Sequence, residues 1–259
     1  MKERTRTWIS LALTVLLVAL YLVAMGGSSR QRHQKTCTGL EVEIADSARL
    51  SFVFPDDVKG YLAEYGDYIG QRLDSVNLKK IEKMLGERSA IRRCDAYVTE
   101  DGKLHVLITQ RTPAVRFQKD GNGYYADSEG FIFPLQRNWT SRVPIVDGAV
   151  PLDIPRGYKG RPSSPEQQAW LGGILDLTSK IAKSKQFRDT FSQITVSSGG
   201  DLVLVPREGR ERFIFGTADG AEAKLGRIRD YYICVAPSRD EGYYGSVNVK
   251  YDGQIICKK

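Results

Sequence analysis

From Thr7 to Ser29 the chain carries no charged residue, and Ile9 to Met25 is almost purely apolar. A helix rises 1.5 Å per residue, so this run with its flanks reaches across a hydrocarbon layer about 30 Å thick. It predicts a transmembrane helix over residues 9–27, a cytoplasmic tail over 1–8 and a juxtamembrane linker over 28–36. Trp8 and Tyr21 suit the two membrane interfaces. Lys2, Arg4 and Arg6 precede the run and Arg30, Arg32 and Lys35 follow it, so charge leaves the orientation nearly balanced. A large folded region follows, and long domains translocate largely regardless of charge, which predicts a cytoplasmic N-terminus and a periplasmic remainder. The alternative is a cleaved signal peptide ending near Ala24-Met25-Gly26. The length of the uncharged run favours the anchor.

With that segment set aside, a chain of 259 residues leaves material for two modest domains. Hydrophobic residues at 41% and charged residues at 27% exclude a polytopic membrane protein and a disordered one. The net charge of +7 is spread among acidic residues rather than gathered into a stripe, which argues against nucleic acid. Attraction to anionic lipid or wall polymer is the milder consequence. Cys37, Cys94, Cys234 and Cys257 all follow the anchor, in what would be an oxidising compartment. Pairing Cys37 with Cys94 and Cys234 with Cys257 would staple each domain, but three connectivities are open, and buried thiols are an equal alternative. No C-x-x-C pair or neighbouring histidine suggests zinc.

The residues after the linker alternate like a half-buried strand over Gly39-Leu-Glu-Val-Glu-Ile. Pro55-Asp-Asp-Val opens a helix, since proline suits the first turn and the aspartates the positive end of the helix dipole. In a second helix Leu78, Ile81 and Leu85 share a face, with Asn77 as its cap and Gly86 expected to close it in a left-handed turn. Cys94 to Thr99 and Lys103 to Arg111 then form two alternating runs around a Glu100-Asp101-Gly102 hairpin signal. The order strand, helix, helix, strand, strand over residues 37–115 resembles a POTRA domain.

Residues 116–259 predict a β domain with two helices. Strand-like runs fall at Tyr124-Tyr125, Phe131 to Phe133, Val143 to Val146, Ile194 to Val196, Leu202 to Val205 and Arg212 to Phe215, with glycine turns between them. Pro165 to Ala182 carries Trp170, Leu171, Ile174, Leu177 and Ile181 on one face. Glu222 to Val235 does the same with Leu225, Ile228, Tyr232 and Val235. The fold class is therefore α+β: an N-terminal transmembrane helix, a POTRA-like β-α-α-β-β domain, then a mostly antiparallel β domain with two docked helices.

Four stretches carry a likeness to a family: Ile81-Glu-Lys-Met-Leu, Gly102-Lys-Leu-His-Val-Leu-Ile, Gln110-Arg-Thr-Pro-Ala and Tyr125-Ala-Asp-Ser-Glu-Gly. In that order they resemble FtsQ/DivIB proteins, and Val247-Asn-Val-Lys-Tyr is similar to that family's last strand. Each motif residue also has a structural reading. Pro113 lacks an N–H and is expected to end the preceding strand, and Gly130 permits a tight turn. The resemblance implies a non-enzymatic division protein that binds the FtsB and FtsL pair in the periplasm and, through them, the septal peptidoglycan synthase.

Catalytic chemistry finds little support. His33 lies in the linker, and His105 faces away from Leu104, Val106 and Ile108 on its strand. Neither has a partner at metal or triad spacing, and no nucleophile elbow or phosphate loop occurs. Asp127 and Glu129 fall in a turn that suits acidic residues. No cofactor, metal or small-molecule substrate is expected. The rival readings are an anchored cell-wall hydrolase and a POTRA-type translocation or assembly component.

The expected partner surface is the C-terminal edge: Lys250, Tyr251, Gln254, Ile255, Ile256 and Cys257. Asp252-Gly253 is a two-residue hairpin signal, which would pair Tyr251 with Gln254 and Val249 with Ile256. The last strand would then offer unpaired backbone groups to another chain. The resemblance places the family's partner-binding arginine and tyrosine on Lys250 and Tyr251. A lysine at the first position cannot grip a carboxylate with two parallel N–H groups as arginine does. Alternatively, Tyr251 shares a face with Val247 and Val249 and closes the core.

Overall fold

The computed structural model describes residues 13–22, 35–240 and 242–259. Residues 13–22 are helical (α1) with exposed side chains. The remainder of the expected span over 9–27 lies outside the described residues, as do Trp8, His33 and the Ala24 to Gly26 alternative. Among the described residues no helix is long and apolar enough to cross a membrane.

Two compact units follow the chain: residues 1–47 with 53–110, and residues 48–52 with 111–259. The first is built from β1 (Gly39–Ile44), α2 (Pro55–Ala63), α3 (Leu78–Gly86), β2 (Ile91–Val98) and β3 (Lys103–Gln110), in the expected order. β3 is central, parallel to β1 and antiparallel to β2. Pro55 starts α2, and the Asp57 carboxylate accepts the Phe54 N–H at 3.0 Å. Asn77 caps α3 by accepting the Lys80 N–H at 3.0 Å. Ile81, Met84 and Leu85 of α3 are buried, as are Leu104, Val106 and Ile108 of β3. His105 points to the other face, stacked on Tyr97 with Nε2 3.4 Å from Glu41. Gln110 ends the unit, buried but satisfied: its side chain donates to Asp46 and accepts the Val53 N–H.

The second unit holds a nine-stranded sheet in the order β12-β11-β10-β9-β8-β7-β4-β5-β6. Its strands are β4 (Pro113–Lys119), β5 (Asn122–Asp127), β6 (Ile132–Pro134), β7 (Ile145–Gly148), β8 (Phe191–Val196), β9 (Leu202–Pro206), β10 (Arg212–Gly216), β11 (Ser246–Asn248) and β12 (Ile256–Lys258). Most neighbours are antiparallel, while β4–β7, β7–β8 and β10–β11 run parallel. Parallel neighbours need a crossover, and helices supply two of them. α4 (Pro165–Lys183) joins β7 to β8, and α5 (Ala221–Asp230) with a π-turn at Tyr231–Val235 joins β10 to β11. Their apolar faces, Leu171, Ile174, Leu177 and Ile181 on α4 and Leu225 and Ile228 on α5, enter one core with Phe117, Ile194, Leu204, Phe213 and Val247. Elsewhere in the unit, Phe52 lies 5.7 Å from Tyr125, 6.5 Å from Phe133 and 5.2 Å from Trp139.

Several local details differ from the sequence reading or complete it. Gly86 is the last residue of α3 and lacks a positive φ; Glu87 follows at φ −75°, so the helix closes through right-handed backbone. The preceding strand β3 does end before Pro113, at Gln110, but the proline has a second role. It begins β4 opposite Asp127, a strand-initial position where a missing N–H costs little. β4 itself is a strand missing from the expected runs, although Val115-Arg116-Phe117-Gln118 alternates apolar and polar side chains, with Val115 and Phe117 buried. Between the two alternatives left open for the cysteines, all four are free thiols rather than the pairs Cys37–Cys94 and Cys234–Cys257. Burial, aided by Glu82 and Asp95, pushes the Cys94 thiol up to about 12.

Candidate functional site

β11 lies between β10 and β12, and Val247 on it and Val249 just beyond it are fully buried in the core. After Asn248 the chain leaves the ladder, although the Val249 N–H still donates to Ile214 at 3.0 Å. Three contacts hold this exit. The Asn248 side chain accepts the Lys250 N–H at 3.0 Å, Arg227 Nε donates to the Val249 carbonyl at 2.8 Å, and Lys250 Nζ donates to Asp201 at 2.9 Å. The Asp201 carboxylate raises the Lys250 ammonium above its usual range. Arg227 Nη1 also reaches Asp252 at 3.2 Å, while its Nη2 is buried without a hydrogen bond.

These contacts overturn the expected hairpin. β11 pairs with β12 as Ser246 with Lys258, Val247 with Cys257 and Asn248 with Ile256, one residue away from the predicted register. Residues 249–255 form the connection, with Asp252-Gly253 as a turn inside it and Gly253 at φ 70°. A one-residue slip reverses every side chain, so Cys257 and Ile255 pack against the core while Ile256 turns outward, 38% exposed. Tyr251 is 47% exposed, which removes the reading in which it closes the core. Lys250 Nζ sits 5.2 Å from the Tyr251 ring centre. Of the six residues singled out, Tyr251, Gln254 and Ile256 are exposed, Lys250 is latched to Asp201, and Ile255 and Cys257 face inward.

Sequence reasoning missed Asp201 and Arg227. Both are far from the final strand in sequence, and only the sheet order brings β8–β9 and α5 to it. It placed Asp127 in its turn but not in its pair. Asp127 accepts Arg111 Nη1 at 2.9 Å and the N–H groups of Glu129 and Phe131, while Arg111 lies 3.5 Å from the Phe131 ring centre. A carboxylate so committed has a turn-holding role. Among the described residues no cluster of three or more His, Cys, Asp or Glu could hold a metal ion.

A β-α-α-β-β module followed by a wide mixed sheet that ends on a short strand defines a modular α+β protein of the POTRA-containing class. Residues 35–109 match the model for the POTRA-like domain, and residues 112–258 match the one described as FtsQ/DivIB, C-terminal related. The chain belongs to the FtsQ/DivIB family of cell-division proteins. Comparison with curated proteins gives no match.

Proposed function

We propose that this chain is a non-enzymatic division scaffold, anchored in the inner membrane by residues 9–27, with both folded units in the periplasm. Its β12 edge receives a strand from an FtsB- or FtsL-type partner and so couples that partner to septal peptidoglycan synthesis. One observation carries the reading: β12 ends the nine-stranded sheet, with Ile256 and Tyr251 exposed beside it. An added strand would satisfy backbone groups that water otherwise hydrates, and the exposed side chains would supply specificity. The Lys250–Asp201 latch leaves the tyrosine as the stronger candidate anchor, because the ammonium is already paired.

The test is capture of FtsB/FtsL-type partners by the full chain and by Tyr251→Ala. Loss of capture by a folded variant supports the edge, and undiminished capture removes Tyr251 from it. Topology has a separate test. Protease added to spheroplasts should degrade everything beyond the anchor, whereas full protection would reverse the orientation and release into the soluble periplasm would indicate a cleaved signal.

A further inference from the structure

The connection between α2 and the next helical turn carries apolar side chains that the first unit does not bury. Tyr65 is 52% exposed and Ile69 58% exposed, with Tyr68 half-buried between them. The loop is nevertheless tightly held. The Asp67 carboxylate accepts the Ile69 N–H at 3.1 Å, the Asp67 carbonyl accepts from Gln71 at 2.6 Å, and Gly66 and Gly70 take φ values of 138° and 84°. A loop fixed in this way keeps Tyr65 and Ile69 presented outward.

Its position in the unit gives the occupant. The Gly70 N–H donates to Cys37 at 2.8 Å, the Cys37 N–H donates to Gln71 at 2.7 Å, and the Leu73 N–H donates to Lys35 at 3.0 Å. The loop is thus laced to the point where the chain enters the unit from the apolar N-terminal segment. Gly26 to Lys35, ten residues that include Arg30 and Arg32, span at most about 36 Å even when fully extended. Tyrosine suits the membrane–water boundary because its ring is apolar and its hydroxyl is wet, and basic residues favour anionic headgroups. Resting on the anchored reading above, we infer that the Tyr65–Ile69 loop is a lipid-contact tip, with Tyr65 and Ile69 seated in the headgroup region of the bilayer that holds the N-terminal segment.

The experiment uses the full chain reconstituted into vesicles of phosphatidylethanolamine with a minor share of phosphatidylglycerol. The photocrosslinker p-benzoylphenylalanine replaces Ile69 in one sample. In the other it replaces Glu43, which is exposed near the opposite end of β1. Flotation reports the anchor, and mass spectrometry of irradiated protein reports lipid adducts. The expected result is flotation of both samples with several-fold more lipid adduct at position 69. Flotation with equal adduct at the two positions, or protein crosslinks in place of lipid at 69, overturns the loop assignment and leaves the anchor standing. Failure of both samples to float overturns the anchored reading and the loop assignment with it.

Discussion

Tyr251 lies two residues beyond Val249, yet Val249 is fully buried and Tyr251 is 47% exposed. Because its ring leaves little core behind, Tyr251→Ala is expected to change stability by no more than about 0.5 kcal/mol. The same change should weaken partner capture by about 2 kcal/mol or more if Tyr251 is a hot spot. Thermal unfolding and capture measured on one preparation separate the two effects. Asp127 presents the opposite case. It and Arg111 are almost fully buried, with side chains 6% and 12% exposed. Removing one member of such a pair strands a buried charge, so Asp127→Ala should cost about 3–5 kcal/mol in a urea titration. Among the thiols, Cys234 is exposed whereas burial pushes Cys94 up to about 12. Maleimide at neutral pH should therefore label Cys234 first and leave Cys94 untouched until the protein unfolds, because only the thiolate reacts.

At the scale of elements, the final hairpin is decided by contacts made across the sheet. Asp252-Gly253 is a good turn pair, but Asn248, Arg227 and Asp201 hold the chain after β11 away from direct pairing with it. Gly216 belongs to the same arrangement. It stands at φ 78°, and a Cβ there would lie 2.9 Å from the Lys250 Cβ. Gly216→Ala combines left-handed backbone with that contact, and is expected to lower stability by about 1–3 kcal/mol in chemical denaturation. Partner capture should fall with it, since Lys250 leads directly into the Tyr251 turn.

For the whole molecule, the chain order of the two units is not a simple boundary. Residues 48–52 belong to the second unit although they lie between β1 and α2. Phe52 is 3% exposed there, against Tyr125, Phe133 and Trp139. Phe52→Ala should therefore destabilise the second unit by about 3–5 kcal/mol, the usual cost of deleting a buried aromatic ring. Trp139 fluorescence should report the change. Undisturbed unfolding of the second unit in this variant would show that the insertion carries no energy.

Periodicity and turn chemistry made much of this fold legible in advance. The β-α-α-β-β order followed from two strand alternations around helices opened by Pro55 and capped by Asn77, because those signals are local. α4 and α5 followed from their apolar faces. The candidate edge was legible only as an ending: alternation over Val247 to Tyr251 indicated a strand, and Asp252-Gly253 a turn. Its register was not, because a shift by one residue is settled by partners distant in sequence, namely Asp201 on the β8–β9 turn and Arg227 on α5. The parallel β10–β11 pairing, the insertion of Phe52 and the outward turn of Tyr251 were likewise decided by tertiary structure. Local sequence fixes which residues can form a strand, but burial of one face against a completed core selects its neighbours and which side chains remain for another protein.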